Sequence, residues 1–268
     1  MDRFSLNKFF EWLLSPFTNH LEHPMIFTEY PFWIFFLLVL IGYSFLYKKI
    51  KLRSIFLFIV SLYFYFKTSG FFFSILLFST IIDFFIGKGI YNSKKEGNAK
   101  IYLALSISIN LLILVYFKYA YFFAESFNSI IGSQWHPINH FALLTNQIAG
   151  SSFRVDQILL PIGISFYTFQ TMSYSIDIFR KKLKPVKNIF DFGFYVSFFP
   201  QLVAGPIERS TNLLPQFRKK INFNFKNLWD GVFIILCGLF KKVVIADRLA
   251  VTVNTIYDDP TKYSGYSL

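Results

Sequence analysis

The sequence predicts an all-α protein: a polytopic bundle of transmembrane helices with one re-entrant element. Three observations carry this. Hydrophobic residues make up 54% of the 268 positions and charged residues only 16%, against roughly 25% charged in an average soluble domain. Apolar blocks recur at the length of a membrane span, about 20 residues. The basic residues gather between those blocks: of 27 Lys and Arg, 18 fall in residues 48–53, 88–100, 180–187 and 209–226.

That distribution also excludes a function. A net charge of +12 suits nucleic acid in principle, but charge alone speaks of association rather than fold. Short basic clusters beside apolar blocks read instead as cytoplasmic loops, because Lys and Arg near a span fix its orientation. Membrane lipids, and not nucleic acid, are the expected surroundings. The single cysteine, Cys237, rules out an intrachain disulfide and a Cys-based metal site.

Taken in order, residues 1–24 place Phe9, Phe10, Leu13, Leu14 and Phe17 at helical spacing, as in an interfacial amphipathic helix. Glu11 interrupts the apolar stretch and no small-residue cleavage site follows, unlike a secretory signal. Residues 31–47 form the first span. Residues 54–66 and 70–87 make a tight helical hairpin hinged at Lys67-Thr-Ser-Gly70, residues 101–117 the fourth span and residues 158–179 the fifth. Five crossings put the three basic loops on one side and the sparsely charged 118–157 connection on the other, with the N-terminus outside.

Residues 192–207 break the pattern. They are apolar but short, carry Pro200, Gly205 and Pro206, and run into another basic segment. A re-entrant element keeps that segment inside, and Pro and Gly suit it because they interrupt helical hydrogen bonding; a crossing is the alternative. Residues 231–246 begin a sixth segment, interrupted by Lys241 and Lys242, which should snorkel or line a wet cavity.

Several polar residues stand in apolar surroundings. Asp83, in the third span, costs on the order of a few kcal/mol at depth; it reaches the interface, pairs with a basic residue of another helix, or handles protons or substrate. Asp177 has Arg180 and Lys181 three and four residues on, the spacing of a helical ion pair. Asn110 suits interhelical hydrogen bonding. Gln170 and Tyr174 share a helix face and are candidate cavity-lining residues. Gln201 and Arg209, in Phe199-Pro-Gln-Leu-Val-Ala-Gly-Pro-Ile-Glu-Arg209, could bond a phosphate- or carbonyl-bearing ligand arriving from the cytoplasm. His20, His23, His136 and His140 all lie outside the apolar blocks and read as solvated loop histidines.

Leu160-Pro-Ile-Gly-Ile-Ser-Phe-Tyr-Thr-Phe-Gln170, residues 190–209 and Gly238-Leu-Phe-Lys-Lys-Val-Val-Ile-Ala-Asp247 together resemble the membrane-bound O-acyltransferases, in the branch of the alginate and D-alanyl-lipoteichoic acid acylation proteins. The similarity covers residues 25–268, read as the N-terminal part of one such domain, and makes Met25 an alternative start. It implies a multi-pass protein of the cell inner or plasma membrane that moves an acyl group from a cytoplasmic thioester donor, such as acetyl-CoA or an acyl carrier thioester, to a hydroxyl acceptor. The implied acceptor is an exported polysaccharide or cell-envelope polymer, reached with an extracytoplasmic acetyltransferase or polymer-acceptor partner. It implies no bound cofactor, and places Gln170, Tyr174, Gln201 and Arg209 along the substrate path.

Such chemistry wants an imidazole, which can take the proton of a hydroxyl acceptor near neutral pH. The family's catalytic histidine belongs to an Arg-Trp-His-type motif that no residue here matches, so no catalytic residue is carried over. The expectation is a transferase chain truncated before that histidine. A non-catalytic scaffold or acyl-donor conduit beside a partner enzyme is the alternative. A channel or transporter lacks an inverted repeat and a ring of acidic residues.

Overall fold

A computed structural model describes residues 27–149, 154, 158, 160–202, 205–206, 208–219 and 224–259. The expected N-terminal amphipathic helix, the alternative start at Met25 and the terminal residues 263–268 lie outside them. Among the described residues every regular element is helical.

Helix α1 (Tyr30–Leu46) turns at residues 47–49 into α2 (Ile50–Ser69). Gly70, with φ +57, then breaks the run, and one 3₁₀ turn (Gly70–Phe72) leads into α3 (Phe73–Asn92). The hinge is where the sequence places it. Helix α4 (Glu96–Ile131) has 36 residues, so it is about 54 Å long. It absorbs the first 14 residues expected in the outer loop, and ends on Gly132 in the left-handed conformation (φ +72). A short α5 (His140–Ala149) precedes α6 (Ile164–Phe179), which begins six residues later than expected because Gly163 caps it with φ +74.

The contacts fix the directions. Phe72 meets Phe117 and the Asn110 amide meets Asp83, so α3 and α4 are antiparallel. Ser106 meets Ser175 and Asn110 meets Thr171, so α4 and α6 are antiparallel as well. Phe32 and Phe35 near the start of α1 pack on Phe64 near the end of α2. The turns after α1, α3 and α6 therefore share one end of the bundle, which collects the basic clusters.

From that end α7 (Ile189–Ser197) wedges between α2 and α3, with Phe190 on Phe58 and Phe192 on Phe84. After the single turn α8 (Phe199–Leu202) the chain comes back. At the end of α9 (Ser210–Arg218) Arg218 lies 3.7 Å from Asp191. Arg53, only 2% exposed, donates to the carbonyls of Tyr47, Phe217 and Lys219. Removing this clamp with Arg53→Ala should cost about 2–3 kcal/mol, the value of hydrogen bonds from a charged donor. Limited proteolysis should then cut residues 205–219 faster than in the parent.

Two expectations about charge are corrected. Asp177 makes no ion pair with Arg180 or Lys181. Helix α6 ends at Phe179, and the chain leaves in a Schellman turn, Lys181 N–H bonding Ile178 O and Lys182 N–H bonding Asp177 O, both at 2.9 Å. The Asp177 carboxylate instead accepts from Ser210 Oγ at 3.4 Å. Lys181 itself takes the left-handed residue of that turn, φ +59, where glycine is usual; a side chain there costs about 1 kcal/mol. Asp83 neither reaches the interface nor meets a basic residue: it is fully buried among hydroxyls and an amide.

The last run is one rod: α10 (Phe225–Phe240), a π-helical stretch (Lys241–Ala246) and α11 (Asp247–Asp258). It buries none of its residues. Lys242 pairs with Asp247, five positions on, the partner that the wider π turn brings round.

Candidate functional site

Two of the recognised motifs are in direct contact. Gly163, in Leu-Pro-Ile-Gly, and Leu202, in Phe-Pro-Gln-Leu, are so close that a β-carbon on Gly163 would stand 2.4 Å from Leu202 O. Seven residues further along the chain, in α6, the Gln170 side chain donates to Tyr195 O at 2.8 Å. The Tyr195 hydroxyl, in return, is 3.4 Å from Gln170 O and 3.2 Å from Glu208 O. The Tyr174 ring packs at a tilt against Phe192, with centroids 4.4 Å apart, and its hydroxyl accepts from Val186 N at 3.0 Å. Gln170 and Tyr174 thus bind the returning segment to α6 as buried ties.

The other two candidates sit in the return itself. Gln201 donates to Pro206 O at 3.0 Å, closing the turn around the second proline. Gly205 donates to Gln201 O at 2.8 Å, and a β-carbon there would come within 2.6 Å of the Gln201 backbone. Arg209 is exposed at the start of α9. The tip of the return is anchored by Phe199, whose ring packs on Phe35 at 5.3 Å and Phe64 at 5.5 Å. Beside it a cavity of 390 Å³ opens between α1, α2, α7 and α9, lined by Tyr43, Arg53, Phe194, Phe199, Pro200 and Gln216 among others. Its walls are mostly aromatic and apolar, the character of small-molecule pockets.

Behind α6 lies a polar network that ties α3, α4 and α6. Asp83 accepts from Ser106 Oγ at 2.6 Å and Asn110 Nδ2 at 2.7 Å. The Asn110 carbonyl oxygen accepts from Ser79 Oγ and Thr171 Oγ1, each at 3.0 Å, and Ser175 Oγ is 3.0 Å from Ser106 Oγ. Asn110 plays the interhelical part expected of it. Ser79, Ser106, Thr171, Ser175 and Tyr195 were not singled out by sequence, although a signal existed. Ser79/Asp83, Ser106/Asn110 and Thr171/Ser175 are three i, i+4 polar pairs on apolar helices, each placing two polar groups on one face.

His136 and His140 are exposed near the far end of α4, where His140 N–H donates to the Tyr116 hydroxyl. Among the described residues no group of three His, Cys, Asp or Glu side chains is placed to hold a metal ion.

The architecture defines a helical protein with long apolar runs: Ile50–Asn92, counted through its break at Gly70, and Glu96–Ile131 are each long and apolar enough to cross a membrane. No family model matches the chain, and no solved structure matches it significantly. Curated relatives do. The chain is 31% identical over 237 residues to the peptidoglycan O-acetyltransferase of Helicobacter pylori, covering 79% of this chain and 42% of that protein. It is 32% identical over 240 residues to the probable alginate O-acetylase AlgI of Azotobacter vinelandii, covering 88% and 45%. To AlgI of Pseudomonas aeruginosa it is 34% identical over 231 residues, covering 86% and 41%. This chain belongs to the membrane-bound O-acyltransferase family. It spans less than half the length of these relatives.

Proposed function

We propose that the chain forms the donor-side part of a membrane-bound O-acetyltransferase that modifies an exported polysaccharide or cell-envelope polymer. The single observation that carries this reading is the contact of the two family motifs, in which the 160–170 segment and the 199–209 segment build one wall around a returning loop. Relatives named for alginate and peptidoglycan O-acetylation supply the reaction and the acceptor class. The acyl group comes from a cytoplasmic thioester, and an extracytoplasmic partner receives it or presents the polymer.

On this reading the bundle is polytopic, with the basic end in the cytoplasm and the N-terminal side of α1 outside. All the strongly basic turns meet there, as orientation by Lys and Arg requires. Helix α7, of nine residues, is about 14 Å long, half the ~30 Å hydrocarbon core. Such a segment enters and returns, and its irregular backbone at depth is tolerated because α2, α3 and α6 enclose it. Gln201 and Arg209 line the donor path from the same side, and Gln170 and Tyr174 hold its wall.

Disrupting the gene in its host should abolish or strongly reduce ester-linked acetate on one envelope polymer, measured as acetate released by mild alkali. Restoring the gene should restore the acetate. Unchanged acetate on every polymer fraction contradicts the assignment.

A further inference from the structure

Asp83 stands halfway along α3, fully buried against α4 and α6. Among the described residues no Lys, Arg or His side chain bonds to it. The one cation of its own helix, Lys88, lies over the Phe84 ring at 4.1 Å. On α6, the Tyr174 hydroxyl is engaged by Val186 N and the Asp177 carboxylate by Ser210. A charge held inside a membrane bundle is costly, and such groups are found paired. Asp83 has hydrogen bonds but no counter-charge.

The hydrogens around it fit an ionised carboxyl. Asn110 directs its two N–H groups to Asp83 Oδ2 at 2.7 Å and to Ser106 O at 2.9 Å. Ser106 has a single hydrogen and gives it to Asp83 Oδ1 at 2.6 Å, so Ser175 is the donor at their 3.0 Å contact. Ser79 and Thr171 donate to Asn110 Oδ1, each at 3.0 Å. Every hydrogen is then placed, and none is left over for the carboxyl. A proton on Oδ1 would reverse the chain and leave the Ser175 hydrogen without an acceptor among the described residues.

We propose that these oxygens bind one sodium ion, which neutralises Asp83 and ties α3, α4 and α6 together. A carboxylate, an amide carbonyl and hydroxyls are the ligands of hard cations. One carboxylate balances one charge, and no group of three His, Cys, Asp or Glu side chains is present among the described residues, which selects a monovalent ion. Oxygens about 2.4 Å from an ion of this radius stand roughly 3.4 Å apart. Ser79 Oγ is already 3.5 Å from Asp83 Oδ2 and 3.0 Å from Asn110 Oδ1, so the cage opens by tenths of an ångström for sodium and by more for potassium. Thr171 has a second acceptor, Thr168 O at 3.1 Å, which frees its hydroxyl oxygen for the ion. Thr168, on the same helix face, is fully buried and its own hydroxyl has no hydrogen-bond partner. The site uses none of Gln170, Tyr174, Gln201 and Arg209, and it stands independently of the acyl-transfer reading.

The test is equilibrium binding of radiolabelled sodium to the purified chain in detergent, with choline chloride holding the ionic strength constant. One saturable ion per chain is expected, displaced by unlabelled sodium and far more weakly by potassium. Ser79→Ala and Thr171→Val should each weaken binding about tenfold, and Asp83→Asn should abolish it. Replacing choline by sodium at about 150 mM should raise the melting temperature by about 3–6 °C. Asp83→Asn should melt at the same temperature in both salts. That variant keeps the acceptor for Asn110, so it separates loss of the charge from loss of the fold. Asp177→Asn, at the other buried carboxylate, should change sodium affinity less than about twofold.

Absence of saturable binding, with equal melting temperatures in choline and sodium, overturns the proposal. Sodium binding retained in Asp83→Asn overturns it too. Potassium bound as tightly as sodium removes the size match and with it the assignment to sodium. Stabilisation by acid in place of sodium, lost in Asp83→Asn, would make Asp83 a proton site and overturn the ion. Polymer acetate unaffected by gene loss, with sodium binding intact, would count against the acetyltransferase reading and leave this site standing.

Discussion

Asp83→Ala should lower the melting temperature of the purified chain by about 6–12 °C, more than any substitution at the protein's exposed positions. The Asn110 amide and the Ser106 hydroxyl both donate to this carboxylate, at 2.7 and 2.6 Å, in surroundings without accessible water. Alanine leaves both donors unsatisfied, at roughly 1–3 kcal/mol each. A total near 3 kcal/mol corresponds to that shift for a chain of this size. Asp83→Asn is the informative partner. Its carbonyl can still accept from Asn110, and its NH₂ can donate to Ser106, which then donates onward to Ser175. Asparagine should therefore recover at least half of the loss. If it melts as low as alanine, the negative charge and not the hydrogen-bond pattern holds α3, α4 and α6 together. A double-mutant cycle with Asn110→Ala should give a coupling of about 1–3 kcal/mol between the two side chains.

Gly163→Ala should be the other severe lesion, and it should strike the motif contact itself. A β-carbon at this position meets the Leu202 carbonyl oxygen at 2.4 Å, and the backbone is left-handed with φ +74. The carbonyl belongs to the main chain and cannot rotate away as a side chain could, so α6 and the returning segment must separate. Gly132 provides an internal control, since it has nearly the same φ, +72, and nothing within 4 Å of a β-carbon. Gly132→Ala should cost only the conformational penalty, about 1 kcal/mol. Gly163→Ala should cost at least 2 kcal/mol more and should reduce polymer acetylation in cells to background. Equal melting temperatures for the two variants would mean that the motifs do not touch as described.

Much of this was legible in sequence because the membrane reading depends on coarse signals. Apolar block length and the placement of Lys and Arg were enough for five helices with their turns on alternate ends. The hinge at Lys67–Gly70 was visible because glycine sits between two apolar runs. Boundaries were less legible. Helix α4 continues through Lys118, Glu125 and Asn128, polar residues that end an apolar block but do not end a helix. Asp177 misled for a related reason: the i+3 and i+4 rule presumes that the helix continues, and α6 stops at Phe179.

The candidate site was partly legible. Motif similarity picked out Gln170, Tyr174, Gln201 and Arg209, but chain-wise spacing could not reveal that Gln170 reaches Tyr195, 25 positions away. Nor could it show that Gly163 and Leu202 touch. The serines and threonines around Asp83 are unremarkable one by one. Only the repeated i, i+4 pairing on three different helices marks them, and it takes the fold to bring the three faces together.

The central claim is architectural: residues 188–219 enter and leave from the basic end, so that the two motifs meet inside the bundle. Cysteine labelling tests it directly, because Cys237 is the only native thiol and Cys237→Ser clears the background. Single cysteines at Lys187, Lys219 and Gln134, all exposed, would be probed in sealed inverted vesicles with a membrane-impermeant maleimide. Lys187→Cys and Lys219→Cys should both label from the cytoplasmic face, and Gln134→Cys only after the vesicles are opened. Labelling of positions 187 and 219 from opposite faces would contradict the account, since residues 188–219 would then cross the membrane and the motif wall would not form.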